Sequence, residues 1–183
     1  MTHPALVFDL DGTLVDTAPD LLGAMNAVLV KAGRATLDPA TLRPMVGFGA
    51  RALIVQAFEA TGTPVAVDAL PGLVDDFVAH YREHLYDGSV PFPGVVETLT
   101  ALRDSGAKLG LLTNKPQELV APLLRGLDLE KYFDAIHGAG RYSYVKPDPR
   151  VFHNVFEELT GKPNAPALMI GDSKTDLATG RAA

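Results

Sequence analysis

Short apolar runs alternate with amphipathic stretches over the first part and the second half of the chain. The apolar runs are four or five residues long and predict four strands, at 5–8, 108–112, 135–138 and 167–170. Apolar positions three or four residues apart predict one helix before each of the three later strands, at 95–105, 117–127 and 148–160. This alternation predicts an α/β fold with a doubly wound parallel sheet.

The stretch from 15 to 88 has helical periodicity and no convincing strand pattern. The predicted helices lie at 19–31, 39–45, 51–60 and 73–86. Gly33, Gly62 and Gly88 follow three of them, as expected at helix ends. Because this stretch is too long for one crossover connection, we predict a small helical cap domain at 15–88, inserted into a core of 1–14 and 89–183.

Polar side chains follow three of the predicted strands directly. They are, in chain order, Asp9 and Asp11, Thr113 and Asn114, and Asp172 and Asp176. Lys146 lies in the loop after the weakest strand. Ligands of doubly wound sheets bind beyond the carboxyl ends of the strands, so these four segments converge on one edge. Burying a charge costs several kcal/mol unless it is paired or bound to metal, and Asp9 lies inside an apolar run, so it indicates a functional site.

Composition narrows the classes of partner and cofactor. The chain has 16 basic and 22 acidic residues and a net charge of −6, with no basic patch that predicts nucleic-acid binding. Cysteine is absent, which excludes disulfides, zinc–thiolate sites and cysteine nucleophiles. Clustered carboxylates beside a lysine and a hydroxyl favour a hard cation bound by oxygen, most simply Mg²⁺.

The start of the chain and its hydropathy bear on its expected location in the cell. The first strand begins about five residues after the start, and no apolar run reaches the ~18 residues of a membrane span. We therefore expect no signal peptide, no membrane partner and a cytoplasmic location. Separately, the protein is expected to be a monomer or a homodimer.

One segment resembles the first motif of the haloacid dehalogenase superfamily of phosphatases and phosphotransferases: Asp9-Leu10-Asp11-Gly12-Thr13-Leu14-Val15-Asp16. Three further segments resemble its later motifs in the same order: Thr113-Asn114, Lys146-Pro147-Asp148-Pro149 and Gly171-Asp172-Ser173-Lys174-Thr175-Asp176. The resemblance covers nearly the whole chain and implies a Rossmann-like sheet with a phosphoryl-transfer site.

The resemblance also implies a role for each motif residue. Asp9 would attack phosphorus and form a phosphoaspartyl intermediate, and Asp11 would act as general acid and then general base. Thr113 would hydrogen-bond the phosphate, and Lys146 would balance its charge. The implied substrate contacts are Gly12, Thr13 and Asn114. The implied Mg²⁺ ligands are Asp9, Asp11 and Asp172, with Asp176 orienting the groups around the metal.

A helical insertion directly after the first motif resembles the subgroup of phosphoglycolate phosphatases, pyrophosphate phosphatases and β-phosphoglucomutase. The segments 16–21, 92–95 and 113–116 are most similar to bacterial phosphoglycolate phosphatases. This implies Mg²⁺-dependent hydrolysis of 2-phosphoglycolate or another small phosphorylated metabolite. Arg51 is expected to contact the substrate's carboxylate with its planar guanidinium, although an exposed arginine lying along apolar surface fits the sequence equally well.

Two departures separate the chain from that subgroup. Its phosphatases usually carry a Gly-Gly-Asp-like turn before the lysine motif, where this chain has Gly138-Ala139-Gly140-Arg141-Tyr142-Ser143-Tyr144. They also continue into another strand and helix where this chain stops at Ala183. The C-terminal strand is therefore expected to be missing, which would leave the edge beside Asp172 exposed.

Alternatives to a phosphatase stay open at this point. A phosphomutase of the β-phosphoglucomutase type would use the same motifs and return the phosphoryl group to a sugar. An amino-sugar phosphate is an alternative phosphatase substrate. A receiver-type phospho-accepting module and a catalytically dead binding protein are non-enzymatic alternatives, and the helical insertion and the fourth acidic motif disfavour the receiver.

Overall fold

The computed structural model describes residues 5–162 and 167–183, whose contacts separate into two compact units. We call them the core unit, Met1–Asp16 with Val90–Ala183, and the insert unit, Thr17–Ser89. The described strands are β1 Ala5–Phe8, β2 Val15–Asp16, β3 Val90–Pro91, β4 Lys108–Pro116, β5 Ala135–Ala139 and β6 Ala167–Ile170. The described α-helices are α1 Ala18–Lys31, α2 Pro39–Leu42, α3 Ala50–Ala60, α4 Leu70–Glu83, α5 Val95–Asp104, α6 Gln117–Gly126, α7 Pro149–Thr160 and α8 Lys174–Ala182.

The core unit is built on a four-stranded parallel sheet in the order β5-β4-β1-β6. Val7 and Leu112 lie on the face that packs against Val155 of α7, and all three are buried. Leu109 and Leu111 point to the opposite face, since side chains alternate along a strand, and they are buried as well. Burial on both faces explains why the strands have continuous apolar runs, and the predicted α/β fold with a parallel sheet is confirmed.

The insert unit is a small helical assembly in which α1 and α3 both pack against α4. Its centre is apolar and buried, and no side chain is more than 2 % exposed among Met25, Leu29, Ile54, Phe77 and Tyr81. A buried carboxylate fastens its two ends together. Asp20 near the start of α1 accepts hydrogen bonds from the backbone of Gly88 at 2.8 Å and of Ser89 at 2.8 Å, and from the Ser89 hydroxyl at 2.6 Å.

Several element boundaries differ from the sequence-based prediction. The two-residue strands β2 and β3 pair antiparallel, although the sequence has no strand pattern there. The helix predicted at 73–86 is α4, which begins at Leu70 with a proline in its first turn and ends at Glu83. The predicted helix at 39–45 is α2 followed by a single 3₁₀ turn at Arg43–Met45. Strand β4 continues four residues beyond the predicted end, to Pro116. Within the described residues, none of the helices combines the length and the apolar character needed to cross a membrane.

Candidate active site

Three buried charged side chains link the end of β1, the first turn of α8 and the loop before α7. Asp9 follows β1, and its backbone N–H donates to Ile170 O of β6 at 2.8 Å. Lys146 Nζ lies 2.8 Å from Asp9 Oδ1 and 2.5 Å from Asp176 Oδ1, and the three side chains are only 1–2 % exposed. Asp9 Oδ1 nevertheless accepts no well-directed hydrogen bond from the described residues. One lysine therefore bridges two carboxylates, and an oxygen of Asp9 is left without a directed donor.

Burial has the largest effect on the pKa of the Asp9 carboxyl. It raises the pKa of the Asp9 carboxyl to about 6, with further upward contributions from Asp176 and Asp11, against the lowering effect of the Lys146 ammonium. The Lys146 ammonium therefore does not fully compensate the cost of ionising the buried Asp9 carboxyl. A cation near Asp9 would stabilise the carboxylate form.

The carboxylates beside Asp9 fit a divalent cation bound by oxygen. Asp9, Asp172 and Asp176 each offer a carboxylate oxygen within 4.8 Å of the other two. Two of these residues are buried and Asp172 is exposed, so the cluster is open to solvent on one side. An all-oxygen donor set of this kind suits Mg²⁺.

The cluster differs from the ligand set expected from the resemblance. The Asp11 carboxylate is not one of the three grouped oxygens, and Asp176 takes the third place. Asp176 also caps the start of α8 together with Ser173. Its Oδ2 accepts from Ser173 N at 3.0 Å and from Ser173 Oγ at 2.5 Å, while Ser173 Oγ accepts from Asp176 N. This capping box orients Asp176 so that Oδ1 meets Lys146.

Gly12 and Thr13 lie against Asp172, although the resemblance implies them as substrate contacts. Thr13 Oγ1 donates to Asp172 Oδ1 at 2.8 Å. Gly12 has a φ of +85°, and a Cβ at this position would lie 2.6 Å from Asp172 Oδ2. The turn after β1 therefore requires glycine both for its backbone conformation and for the close approach of Asp172.

Thr113 and Asn114, at the end of β4, support neighbouring backbone. The Asn114 side chain donates to Lys146 O at 3.1 Å and accepts from Lys146 N at 3.0 Å. Thr113 Oγ1 accepts from Lys115 N at 3.1 Å. All of these groups are buried, so the strand end and the lysine loop form one hydrogen-bonded unit.

Lys115 is a site residue that the sequence analysis did not single out. Its Nζ lies 2.9 Å from Asp11 Oδ1, and its side chain is 2 % exposed. A lysine directly after an apolar strand was the available signal, since a buried ammonium requires a carboxylate nearby. Arg51, by contrast, belongs to the insert unit, where it is exposed in the first turn of α3.

Residues 6–183 match the family described as haloacid dehalogenase-like hydrolase. The chain is 44 % identical over 171 residues to a phosphoglycolate phosphatase from Caulobacter vibrioides, covering 93 % of this chain and 72 % of that protein. It is 39 % identical over 178 residues to a phosphoglycolate phosphatase from Agrobacterium fabrum, covering 97 % and 76 %. The crystal structure of a predicted phosphoglycolate phosphatase from Haemophilus somnus is similar with a TM-score of 0.88 at 29 % identity, covering 100 % of this chain and 83 % of that one.

Proposed function

The chain belongs to the haloacid dehalogenase-like hydrolase family and is a phosphatase, and we propose that it hydrolyses 2-phosphoglycolate through a phosphoaspartyl intermediate with Mg²⁺. The observation that carries this proposal is the environment of Asp9. Its carboxylate is buried beside Lys146, and its Oδ1 lacks a directed hydrogen bond. An undirected carboxylate oxygen next to an ammonium suits attack on an anionic phosphate.

In the first step, an Asp9 carboxylate oxygen attacks phosphorus, and the bond from phosphorus to the leaving oxygen breaks. Asp11, two residues along the chain, gives its proton to that oxygen. Lys146 offsets the negative charge that Asp9 and the phosphoryl group bring together. Thr113, at the end of β4, is proposed to hydrogen-bond the phosphoryl oxygens.

In the second step, water attacks the phosphorus of the phosphoaspartyl group. Asp11, now ionised, takes a proton from that water, and the bond from phosphorus to Asp9 breaks. Inorganic phosphate leaves, and Asp9 returns as a carboxylate. The proton from water has restored Asp11 to its protonated form, so atoms and charges balance over the cycle.

Asp9, Asp172 and Asp176 would hold Mg²⁺, which would neutralise phosphate charge and orient the phosphoryl oxygens. Thr13 and Gly12 would keep Asp172 in place through the contacts described above. The carboxylate of Asp11, which the resemblance includes among the ligands, pairs with Lys115 and is assigned to proton transfer.

The substrate assignment is supported by the names of the curated relatives at 44 % and 39 % identity. The insert unit is proposed to be the cap domain. A contact between Arg51 and the substrate's carboxylate stays a prediction, as do substrate contacts by Gly12, Thr13 and Asn114. A cytoplasmic location and a monomeric or homodimeric state are predictions too.

Phosphate release from 2-phosphoglycolate and a panel of phosphomonoesters, with and without Mg²⁺, tests the proposal. Release that requires Mg²⁺, is fastest with 2-phosphoglycolate and disappears in Asp9→Asn is the expected result. Asp134→Asn is the matched control, because this carboxylate pairs with Arg103 and Leu109 N, outside the proposed site. Mg²⁺-independent release, or full activity in Asp9→Asn, would contradict the proposal, and a faster substrate in the panel would correct the substrate.

A further inference from the structure

Lys115 is a buried lysine at the proposed site for which the reaction described above has no role. Its Nζ meets Asp11 Oδ1 at 2.9 Å, with side chains 2 % and 11 % exposed. Burying an ammonium costs several kcal/mol unless a carboxylate compensates it, and ordering a long lysine side chain adds a further entropic cost. A surface lysine would avoid both costs, so the pair indicates a requirement at Asp11.

The backbone of Lys115 is held on two sides. Its N–H donates to Thr113 Oγ1 at 3.1 Å. On the neighbouring strand β5, a Cβ on Gly138 would lie 2.8 Å from Lys115 O, so only glycine allows this close approach. Lys115 is therefore placed by the same strand end that supports the loop of Lys146 through Asn114.

The two buried lysines of the site pair with different carboxylates. Lys146 pairs with Asp9 and Asp176, which belong to the proposed nucleophile and metal positions. Lys115 pairs with Asp11, the proposed acid and base. One ammonium thus accompanies the covalent and metal chemistry, and the other accompanies proton transfer.

We propose that Lys115 is a positioning residue that fixes the Asp11 carboxyl by holding Oδ1, so that Oδ2 is the oxygen that gives and takes the proton. The inference rests on the proposed function and assigns it a further residue. A protonated carboxyl has one O–H donor and one carbonyl acceptor, so Asp11 can accept from Lys115 at Oδ1 while it donates from Oδ2. Fixed orientation of an acid relative to the leaving oxygen is what general acid catalysis requires.

A comparison of leaving groups separates this role from a structural one. The alkoxide of 2-phosphoglycolate needs a proton to leave, whereas the acetate of acetyl phosphate, a phosphorylated compound of similar size, leaves without one. The ratio kcat/KM reports the steps up to the phosphoaspartyl intermediate, so it includes departure of the leaving group and excludes hydrolysis of the intermediate. For Lys115→Met we expect kcat/KM to fall about 100-fold with 2-phosphoglycolate and less than about 5-fold with acetyl phosphate.

Three further variants complete the test. Lys115→Arg keeps the charge and should recover most of the 2-phosphoglycolate activity. Lys108→Met removes an exposed lysine from the same strand and should leave kcat/KM unchanged for both substrates. In an Asp11→Asn background, Lys115→Met should cause no additional loss, because its effect passes through Asp11. This double variant also removes both charges of the pair, so it remains a test where the single variant does not fold.

Equal losses on both substrates, or an additional loss in the Asp11→Asn background, would overturn the positioning role. Those results are distinct from failure of the proposed function, which would appear in the wild-type protein as Mg²⁺-independent release or in Asp9→Asn as full activity.

Discussion

Asn114 and Lys146 pair in both directions, with the side-chain amide of one bound to the backbone C=O and N–H of the other at 3.1 and 3.0 Å. This pair fixes the loop that carries Lys146 against the end of β4. The resemblance implies a substrate contact for Asn114, and the structure also gives it a structural role.

We expect Asn114→Ala to lower both stability and kcat. It leaves two buried backbone groups of Lys146 without these partners, which costs about 1–3 kcal/mol, and it loosens the loop behind the Lys146 ammonium. Urea unfolding and steady-state kinetics on the same preparation measure the two effects.

Asn26→Ala is the matched control for that variant. Asn26 makes the same two-way pair with the backbone of Leu37, at 3.0 and 2.7 Å, within the insert unit. It should lose a comparable amount of stability and keep its kcat. Unchanged kcat in Asn114→Ala would show that the pair does not support the lysine loop.

Removal of the Lys146 ammonium should have a large effect on both folding and turnover. Lys146→Met leaves Asp9 and Asp176 buried without their shared cation, which costs about 3–5 kcal/mol, and activity should fall below detection. Lys31→Met, which breaks an exposed pair with Asp76, should change stability by less than about 1 kcal/mol. Similar losses in the two variants would contradict the importance of the buried charges.

The stability of the metal-free protein should depend on pH through Asp9. Since its pKa is raised from 3.8 to about 6, the folded state binds the proton more tightly, so the contribution of Asp9 to stability is fully present below pH 4 and is lost as the pH rises through 6. Lys146 lowers this pKa, so in Lys146→Met the loss should extend to higher pH. Melting temperatures in EDTA, compared with those of Asp9→Asn, isolate this contribution, and identical pH profiles in wild type and Asp9→Asn would rule it out.

Gly12→Ala should weaken Mg²⁺ binding. A methyl group there would lie 2.6 Å from Asp172 Oδ2 and displace that carboxylate. Gly94→Ala provides the control, because Gly94 has nearly the same φ, +86° against +85°, with no atom within 4 Å of the added Cβ. Both variants should carry a strain of about 1–2 kcal/mol, but only Gly12→Ala should raise the Mg²⁺ Kd, by at least ~10-fold in calorimetry. Equal Kd values would separate Gly12 from the metal site.

Arg51 is predicted from the sequence to contact the substrate's carboxylate. Arg51→Met should then raise KM for 2-phosphoglycolate about 10-fold or more and leave KM for ethyl phosphate, which lacks the carboxylate, unchanged. Parallel kinetics with the two substrates measure the difference. An equal change in both KM values would favour the alternative of an exposed arginine without a substrate contact.

The sequence was sufficient for the parallel sheet and for the placing of Asp9, Asp172 and Lys146 at its carboxyl edge. Both follow from local patterns, since apolar runs identify strands and topology brings strand ends together. Strands β2 and β3 were missed because two residues are too few for any periodicity. The start of α4 was misplaced because Leu70 and Pro71 precede its regular apolar spacing.

The sequence could not show which side chains of the site pair with one another. Asp11 lies 104 residues from Lys115, and Asn114 lies 32 residues from Lys146. Such pairs depend on the register of β1 against β4 and on the course of the loop before α7, which no local pattern specifies. The place of Asp176 in the acidic cluster depends likewise on tertiary structure, through the capping box that orients its side chain.

The covalent role of Asp9 can be measured directly by trapping the intermediate. The enzyme is mixed with 2-phosphoglycolate and Mg²⁺, quenched in acid within milliseconds and reduced with borohydride, which converts an aspartyl phosphate to homoserine. We predict homoserine at position 9 by peptide mass spectrometry, formed only with substrate and absent from Asp9→Asn. A phosphoryl group on another residue, or turnover without any modification of Asp9, would contradict the proposed mechanism.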